Sequence, residues 1–337
     1  MIDLLIAGGG PAGLATAIHA ARAGLDAVVL EPRPAPIDKA CGEGLMPGAV
    51  RALAELGVTL DGHPIHGIRY LDGRCLAEGR FRQEAGMGVR RTVLHAALFR
   101  RAADLGVPML ARKATGIRQD GDSVTAAGLT ARYLVAADGL HSPIRRQLGL
   151  ERPDPRRARF GLRRHFAVAP WTTCVEVHWS ALGEAYVTPL APELIGVAVL
   201  TGERLPFDEL LTAFPALRHR LPLRSATSVR GAGPMRRQVR ARVAGRVLLV
   251  GDAAGYIDAL TGEGISLALT GAAHLVRCLR AGRPQEYEQA WRRATRRHRL
   301  LTDTLVRIRA SSLLAPGIVP LAARAPAVFT ALVNQLT

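Results

Sequence analysis

The chain has 337 residues, 48% of them hydrophobic and 22% charged, enough to bury a sizeable core in one or two domains. Its formal net charge of +17 comes almost wholly from arginine, since Lys39 and Lys113 are its only lysines. Aromatic residues make up 4%, too few for base-stacking platforms, and most arginines are scattered, so no nucleic-acid partner is expected. Cys41, Cys75, Cys174 and Cys278 are too few and too far apart for a disulfide framework. No basic leader precedes the first apolar run, and no run reaches the roughly 18 apolar residues of a spanning helix. A soluble, cytoplasmic protein is expected. The ten histidines are dispersed, none with cysteine at ligand spacing, so no metal site is expected.

In chain order, Ile2–Ala7 is an apolar run ending in glycines, which reads as a buried strand. Residues 11–23 are alanine-rich and closed by Gly24, the pattern of a helix with a C-terminal glycine. Ala27–Leu30 is a second strand, ending at Glu31. Strand, glycine turn, helix and strand within about 30 residues open a parallel sheet. The turn Gly8-Gly9-Gly10-Pro11-Ala12-Gly13 is a G-x-G-x-x-G. Gly8 allows the sharp turn, Gly10 lets backbone approach a pyrophosphate, and Gly13 lets helix and strand pack closely. The helix N-terminus offers partial positive charge to phosphates, and Glu31 is placed to accept hydrogen bonds from a ribose. This motif does not separate FAD from NAD.

Residues 93–105 read as a helix, and 131–136 as a strand delivering Asp138 and Gly139 at its end. Short β-rich runs follow at 160–168, 174–179, 186–190 and 195–200, broken by Pro170, Gly183 and Pro192. They predict an antiparallel sheet inserted into the α/β scaffold. Alternation puts Arg163 and His165 on one face of the first run, Glu176 and His178 on one face of the second, and Tyr186 and Thr188 together on the third. None is assigned as an acid or base. The scaffold resumes with a strand at 246–250 that delivers Gly251 and Asp252 to the same sheet edge as Asp138. Ligands of open α/β sheets bind beyond such strand ends, so the Asp252 carboxylate is placed to accept ribityl hydroxyls. Thr261-Gly262-Glu263-Gly264 opens the next helix, whose amides would face the electron-rich edge of an isoalloxazine. From Ile265 onward the pattern is helical, with breaks near 282–284 and 316–317.

The order GxGxxG, then DG, then GD resembles the flavoprotein superfamily containing p-hydroxybenzoate hydroxylase and geranylgeranyl reductase, over residues 1 to about 280. The resemblance implies a Rossmann-like FAD-binding α/β domain, an inserted antiparallel substrate sheet and a helical C-terminus. The expected division is 1–150 with 240–280 for FAD, 151–239 for substrate with a contribution from 60–90, and 281–337 as C-terminal helices. It implies FAD, with NAD(P)H as reductant and no second dinucleotide domain. Gly231-Ala232-Gly233 lacks the required strand and spacing and reads as a turn. Lys39-Ala40-Cys41-Gly42-Glu43-Gly44 is similar to the CGGG-type segment that lies against the flavin in geranylgeranyl reductases, with Glu43 where glycine is common. By this likeness Cys41 is the candidate catalytic residue. The cofactor-binding set is Gly8, Gly10, Pro11, Ala12, Gly13, Glu31 and Arg33, then Cys41, Gly42, Arg91, Asp138 and Gly139. Gly251, Asp252, Gly262, Glu263, Gly264 and Ile265 complete it.

Two chemistries fit that likeness. One is an NAD(P)H-dependent monooxygenase hydroxylating or epoxidising an aromatic, polyketide or quinone-like substrate, placed first because oxygenases dominate the superfamily. The alternative is reduction of carbon–carbon double bonds in a prenyl or lipid-like substrate. The tryptophan-rich WxWxIP signature of halogenases is missing. A basic run at 292–299 precedes a mainly apolar tail from Leu313 to Leu336, suggesting contact with an anionic membrane or an acidic carrier protein. Alternatively, Glu286, Glu288 and Asp303 neutralise the run, and the tail packs on the FAD-binding part.

Overall fold

The computed structural model describes residues 1–335, so Leu336 at the end of the apolar tail lies outside them. Its first layer is a sheet of parallel strands in the order Val247–Leu249, Leu129–Ala136, Ile2–Ala7, Ala27–Leu30 and Met109–Leu110. The short strand Val243–Ala244 adds antiparallel to the first of these. The central strands are continuous apolar runs because both faces are covered, as parallel sheets require. Helix Pro11–Arg22 packs against Gly264–Arg280 and Arg91–Asp104, and Leu5, Ile6, Leu14, Ile18, Leu134 and Leu248 are fully buried between the layers.

A second sheet of seven strands runs Arg230–Ala232, Phe160–Phe166, Leu194–Thr201, Gly183–Ala191, Cys174–Ser180, Gly67–Leu71 and Leu76–Arg80. The four strands read from the 160–201 pattern lie at its centre, each within a few residues of its expected ends. Gly67–Leu71 joins parallel to Cys174–Ser180, so a hairpin from before residue 90 extends this sheet.

Two long helices follow, Gly264–Arg280 and Glu286–Ala310, separated at 281–285, with a further break at Ala315–Gly317. The tail helices Ile318–Arg324 and Pro326–Gln335 pack on the hairpin of the second sheet rather than on the parallel-sheet layer. The reason is local. Gly79 leaves a gap that Val333 fills, and Phe329 meets Tyr70 with ring centroids 4.8 Å apart. No single helix among the described residues is long and apolar enough to cross a membrane.

Candidate functional site

Ala7, Ala136 and Leu249 are in register, so the turns after these three strands emerge side by side at one sheet edge. The first turn is the glycine motif. Gly8 has φ of +111°, and a Cβ there would lie 2.4 Å from the Ala137 carbonyl oxygen. A Cβ on Gly13 would lie 1.9 Å from the Gly8 carbonyl oxygen, so the helix sits on the strand as closely as backbone allows. Gly10 has open space on that side. Pro11 and Ala12 start the helix, which has no side-chain cap, and its first amides remain for an anion.

Glu31 stands beside this turn. Its carboxylate accepts from the Gly9 amide at 3.0 Å and from Arg33 Nε at 2.8 Å. Burial would raise its pKa, but the Arg33 and Gly9 bonds prevail and hold it below the ordinary value. A cleft of about 160 Å³ opens here, lined by Val29, Glu31, Arg33, His95, Phe99 and Met109. His95 Nε2 hydrogen-bonds the Gly9 carbonyl at 2.9 Å and fixes the turn from behind. Arg33 is thus tied to Glu31 at the mouth of the cleft.

The second and third turns are locked together by a residue the motif reading passed over. Arg145 is fully buried and donates to the carbonyls of Leu140 (2.8 Å) and Ala253 (3.2 Å), joining the DG turn to the GD turn. A run of arginines in a basic chain carries no signal that one of them is interior. Asp138 uses one oxygen on the Ile144 amide at 3.1 Å, and the other is buried without a partner. Gly139, at φ of +84°, lies next to the Lys39 ammonium. The half-buried Asp252 carboxylate makes no hydrogen bond or ion pair with any described residue. Burial raises its pKa, against the pull of Lys39 and Arg91. Gly251 packs on Ala12, tying the third turn to the first helix.

The Cys41 loop crosses from this edge to the second sheet. Thr188 donates to the Gly42 carbonyl at 2.8 Å, and nothing lies within 4 Å on the side of Gly42 where a Cβ would stand. Cys41 is half-buried, and burial pushes its thiol above the ordinary value against the pull of Arg91, so it stays protonated. Glu43 holds the loop. Its amide donates to Cys41 Sγ at 3.4 Å, and its carboxylate accepts from the Arg91 amide at 2.8 Å and contacts His165 Nε2 at 2.6 Å. Arg91 is buried, and its Nη1 has no partner.

Gly262, at φ of +71°, precedes helix Gly264–Arg280, whose N-terminus lacks a side-chain cap, and Ile265 lies in its first turn. The Glu263 side chain is bonded to His298 of the next helix, leaving backbone as what Glu263 offers the sheet edge. Thr261 bonds Thr302 at 3.0 Å in the same seam. In the second sheet, Arg163 contacts His165 at 3.2 Å and Glu176 contacts His178 at 3.3 Å, as the alternation places them. Tyr186 donates to the Leu260 carbonyl at 2.9 Å.

The site fits FAD. The glycine turn lets backbone approach a pyrophosphate, the cleft beside Glu31 suits an adenosine, and Asp252 and Arg91 Nη1 are polar groups left without partners. Comparison with known proteins agrees. A family model described as "FAD binding domain" matches residues 1–193. The menaquinone reductase of Mycobacterium tuberculosis is 33% identical over 304 residues, covering 79% of this chain and 74% of that protein. Digeranylgeranylglycerophospholipid reductase 1 of Methanothermobacter thermautotrophicus is 27% identical over 301 residues, covering 80% and 75%. Among solved structures, a flavoprotein/dehydrogenase from Cytophaga hutchinsonii superposes with a TM-score of 0.86 at 18% identity, covering 99% of this chain and 93% of that one, which shows the shared fold.

Proposed function

The chain belongs to the FAD-binding-domain family of flavin-dependent oxidoreductases, and from that premise we propose that it reduces carbon–carbon double bonds of an isoprenoid, lipid-like substrate with NAD(P)H as reductant. The observation that carries this reading is the position of the Cys41 thiol, held beside the open face of Gly42 between the two sheets, where burial favours its neutral form. Saturating a double bond takes a hydride at one carbon and a proton at the other. A half-buried neutral thiol is a proton source for a carbon, whereas inserting oxygen adds no proton to carbon. Both relatives cited are named as reductases of lipophilic molecules.

In this reading residues 1–150 and 240–280 hold FAD, and 151–239 with 60–90 roof it. Gly8, Gly10, Pro11, Ala12 and Gly13 would face the pyrophosphate. Glu31 would bind the adenosine ribose, with Arg33 at the rim. Asp252 and the Gly251 turn would take the ribityl chain, with Asp138 and Gly139 beside them. The amides of Gly262–Ile265 would meet the flavin edge where negative charge develops, and Arg91 and Gly42 would line its face. Bound FAD supplies two-electron transfer, and the protein's part is to orient the double bond, exclude water and hold a proton at Cys41 Sγ. Four free cysteines suit a cytoplasmic setting.

The test is anaerobic turnover of a menaquinone with its full prenyl chain and of a geranylgeranyl glycerophospholipid, with NADPH or NADH deuterated at the transferring position. Products are then exposed to air, which reoxidises a quinol but leaves a saturated chain. Retention of two added hydrogens supports the proposal. A product that forms only with oxygen and carries one added oxygen atom establishes the oxygenase reading instead.

A membrane contact belongs to the same proposal. Arg293, Arg297, Leu300, Thr304 and Arg307 recur at helical spacing along the exposed stripe of Glu286–Ala310. Leu313, Leu314, Leu321 and Val328 follow in sequence as exposed apolar residues, and no acidic residue follows Asp303. Glu288 pairs with Arg292 and Arg242, and Asp303 with Arg156, Arg236 and Arg307, so Arg293, Arg296 and Arg297 have no acidic partner among the described residues. Co-sedimentation with anionic but not neutral vesicles, lost at high salt, is expected. An acidic carrier protein becomes the preferred partner if vesicles of either charge fail to bind.

A further inference from the structure

The Cys41 loop contains a residue that its backbone disfavours. Glu43 has φ of +61°, in the left-handed region where a side chain carries a conformational cost. Glycine would remove that cost. A buried carboxylate here must therefore be held by what it contacts, and its contacts form a line.

Glu43 Oε2 lies 2.6 Å from His165 Nε2, and His165 Nδ1 lies 3.0 Å from Thr227 Oγ1. The donors along this line can be assigned. Arg163 donates to His165 Nδ1 at 3.2 Å, so that nitrogen is an acceptor and Nε2 carries the hydrogen toward Glu43. Thr227 Oγ1 accepts from the His165 backbone amide at 3.2 Å, which leaves its own hydrogen for Nδ1. Glu43 and His165 side chains are each 1% exposed, whereas Thr227 is half-buried between exposed Ala226 and Ser228. The second sheet makes room for the pair at Gly196, where a Cβ would lie 3.2 Å from Glu43 Oε2. One end of the line thus reaches the surface, and the other lies in the turn that holds Cys41.

We propose that Thr227, His165 and Glu43 form a proton-supply chain from solvent to the Cys41 loop, which restores the thiol proton after each substrate reduction. This rests on the reductase reading above. In that reaction bound FAD would supply to one alkene carbon, as hydride with both electrons, what NAD(P)H provides, and the role of Cys41 is to give the S–H proton to the other. His165 Nε2 then passes a proton to the Glu43 carboxylate, a water molecule in the Cys41 loop carries it on to the thiolate, and Thr227 draws the replacement from solvent. Per turnover one double bond, one NAD(P)H and one proton become one single bond and one NAD(P)⁺.

The test separates the two half-reactions in the FAD-loaded protein. Pre-reduced enzyme is mixed anaerobically with a geranylgeranyl glycerophospholipid over successive turnovers, and flavin reduction by NAD(P)H is measured apart. H165Q should slow lipid reduction on the order of a hundredfold and T227V on the order of tenfold, with T227S restoring it. Flavin reduction and FAD retention should stay within about twofold. Equal slowing of both half-reactions, or wild-type lipid reduction in H165Q and T227V, overturns the chain. If the wild-type protein reduces no such lipid, the reductase reading falls, and the chain is judged by ¹⁵N NMR of His165 in the oxidised, FAD-loaded protein. A hydrogen on Nε2 whose exchange with solvent slows in T227V supports it. A hydrogen on Nδ1, or exchange that T227V leaves unchanged, overturns it.

Discussion

The two surfaces that meet at the Cys41 loop are built on opposite terms. The edge of the parallel sheet presents backbone: three turns side by side, glycines in contact with neighbouring main chain, and an Asp252 carboxylate and an Arg91 nitrogen without partners. The second sheet pairs its buried carboxylates within itself, with Glu43 on His165, Glu176 on His178 and Trp171, and Glu184 on Arg159 and Arg309, while Arg163 Nε, Arg164 Nε and Trp179 Nε1 are buried without partners. A surface with unmet polar groups is shaped for a polar ligand that completes it. A surface whose carboxylates are already paired offers a ligand fewer acceptors and more apolar area. The comparison is the basis for the proposed division, with the cofactor at the parallel-sheet edge and the substrate under the second sheet.

The first way to break it is at Gly13. Valine there would place carbon 1.9 Å from a backbone oxygen that cannot move without the strand. Purified Gly13→Val is expected to be colourless and not to take up FAD from excess cofactor. Yellow protein of normal FAD content would show that the close packing is not needed. Next in size is Asp252→Ala, which removes the unpartnered acceptor and should weaken FAD by about 1.5–3 kcal/mol, roughly ten- to a hundredfold in Kd. His165→Gln serves as the contrast, being on the second sheet, and should leave FAD affinity within about twofold. Titration of apo-protein with FAD measures both, and equal losses would erase the distinction between the surfaces.

The smallest effect lies outside both. Burial raises the pKa of Asp303, but hydrogen bonds from Arg156 and Arg236 outweigh it and hold the carboxyl down to about 2, below its ordinary 3.8. A depressed carboxylate stabilises the fold above the unfolded value and loses that contribution as pH falls through the folded one. Asp303→Asn should therefore lower Tm slightly at pH 7 and converge on the parent as pH approaches 2. A difference that persists unchanged at low pH would mean these ion pairs contribute nothing.

The parallel-sheet edge was legible in the sequence because its chemistry is local. Gly8 to Gly13 act within one turn, and Gly251 and Asp252 follow the strand that delivers them. The face-sharing of Arg163 with His165 was legible for the same reason, from period-two alternation. What alternation cannot show is the partner. Glu43 and His165 are 122 residues apart, and Glu263 is drawn to a histidine 35 residues away on another helix. The tail went to the second sheet because Gly79 admits Val333, a gap that hydrophobicity alone does not reveal.

The central claim is that the flavin passes its electrons to a carbon–carbon double bond. The most direct measurement is to reduce the FAD-loaded enzyme with one equivalent of dithionite, exclude oxygen, and mix it with a geranylgeranyl glycerophospholipid that has no quinone ring to accept electrons. The account predicts that the oxidised flavin absorbance returns in a single turnover, with one double bond lost per flavin. Flavin that stays reduced until oxygen is admitted would contradict it.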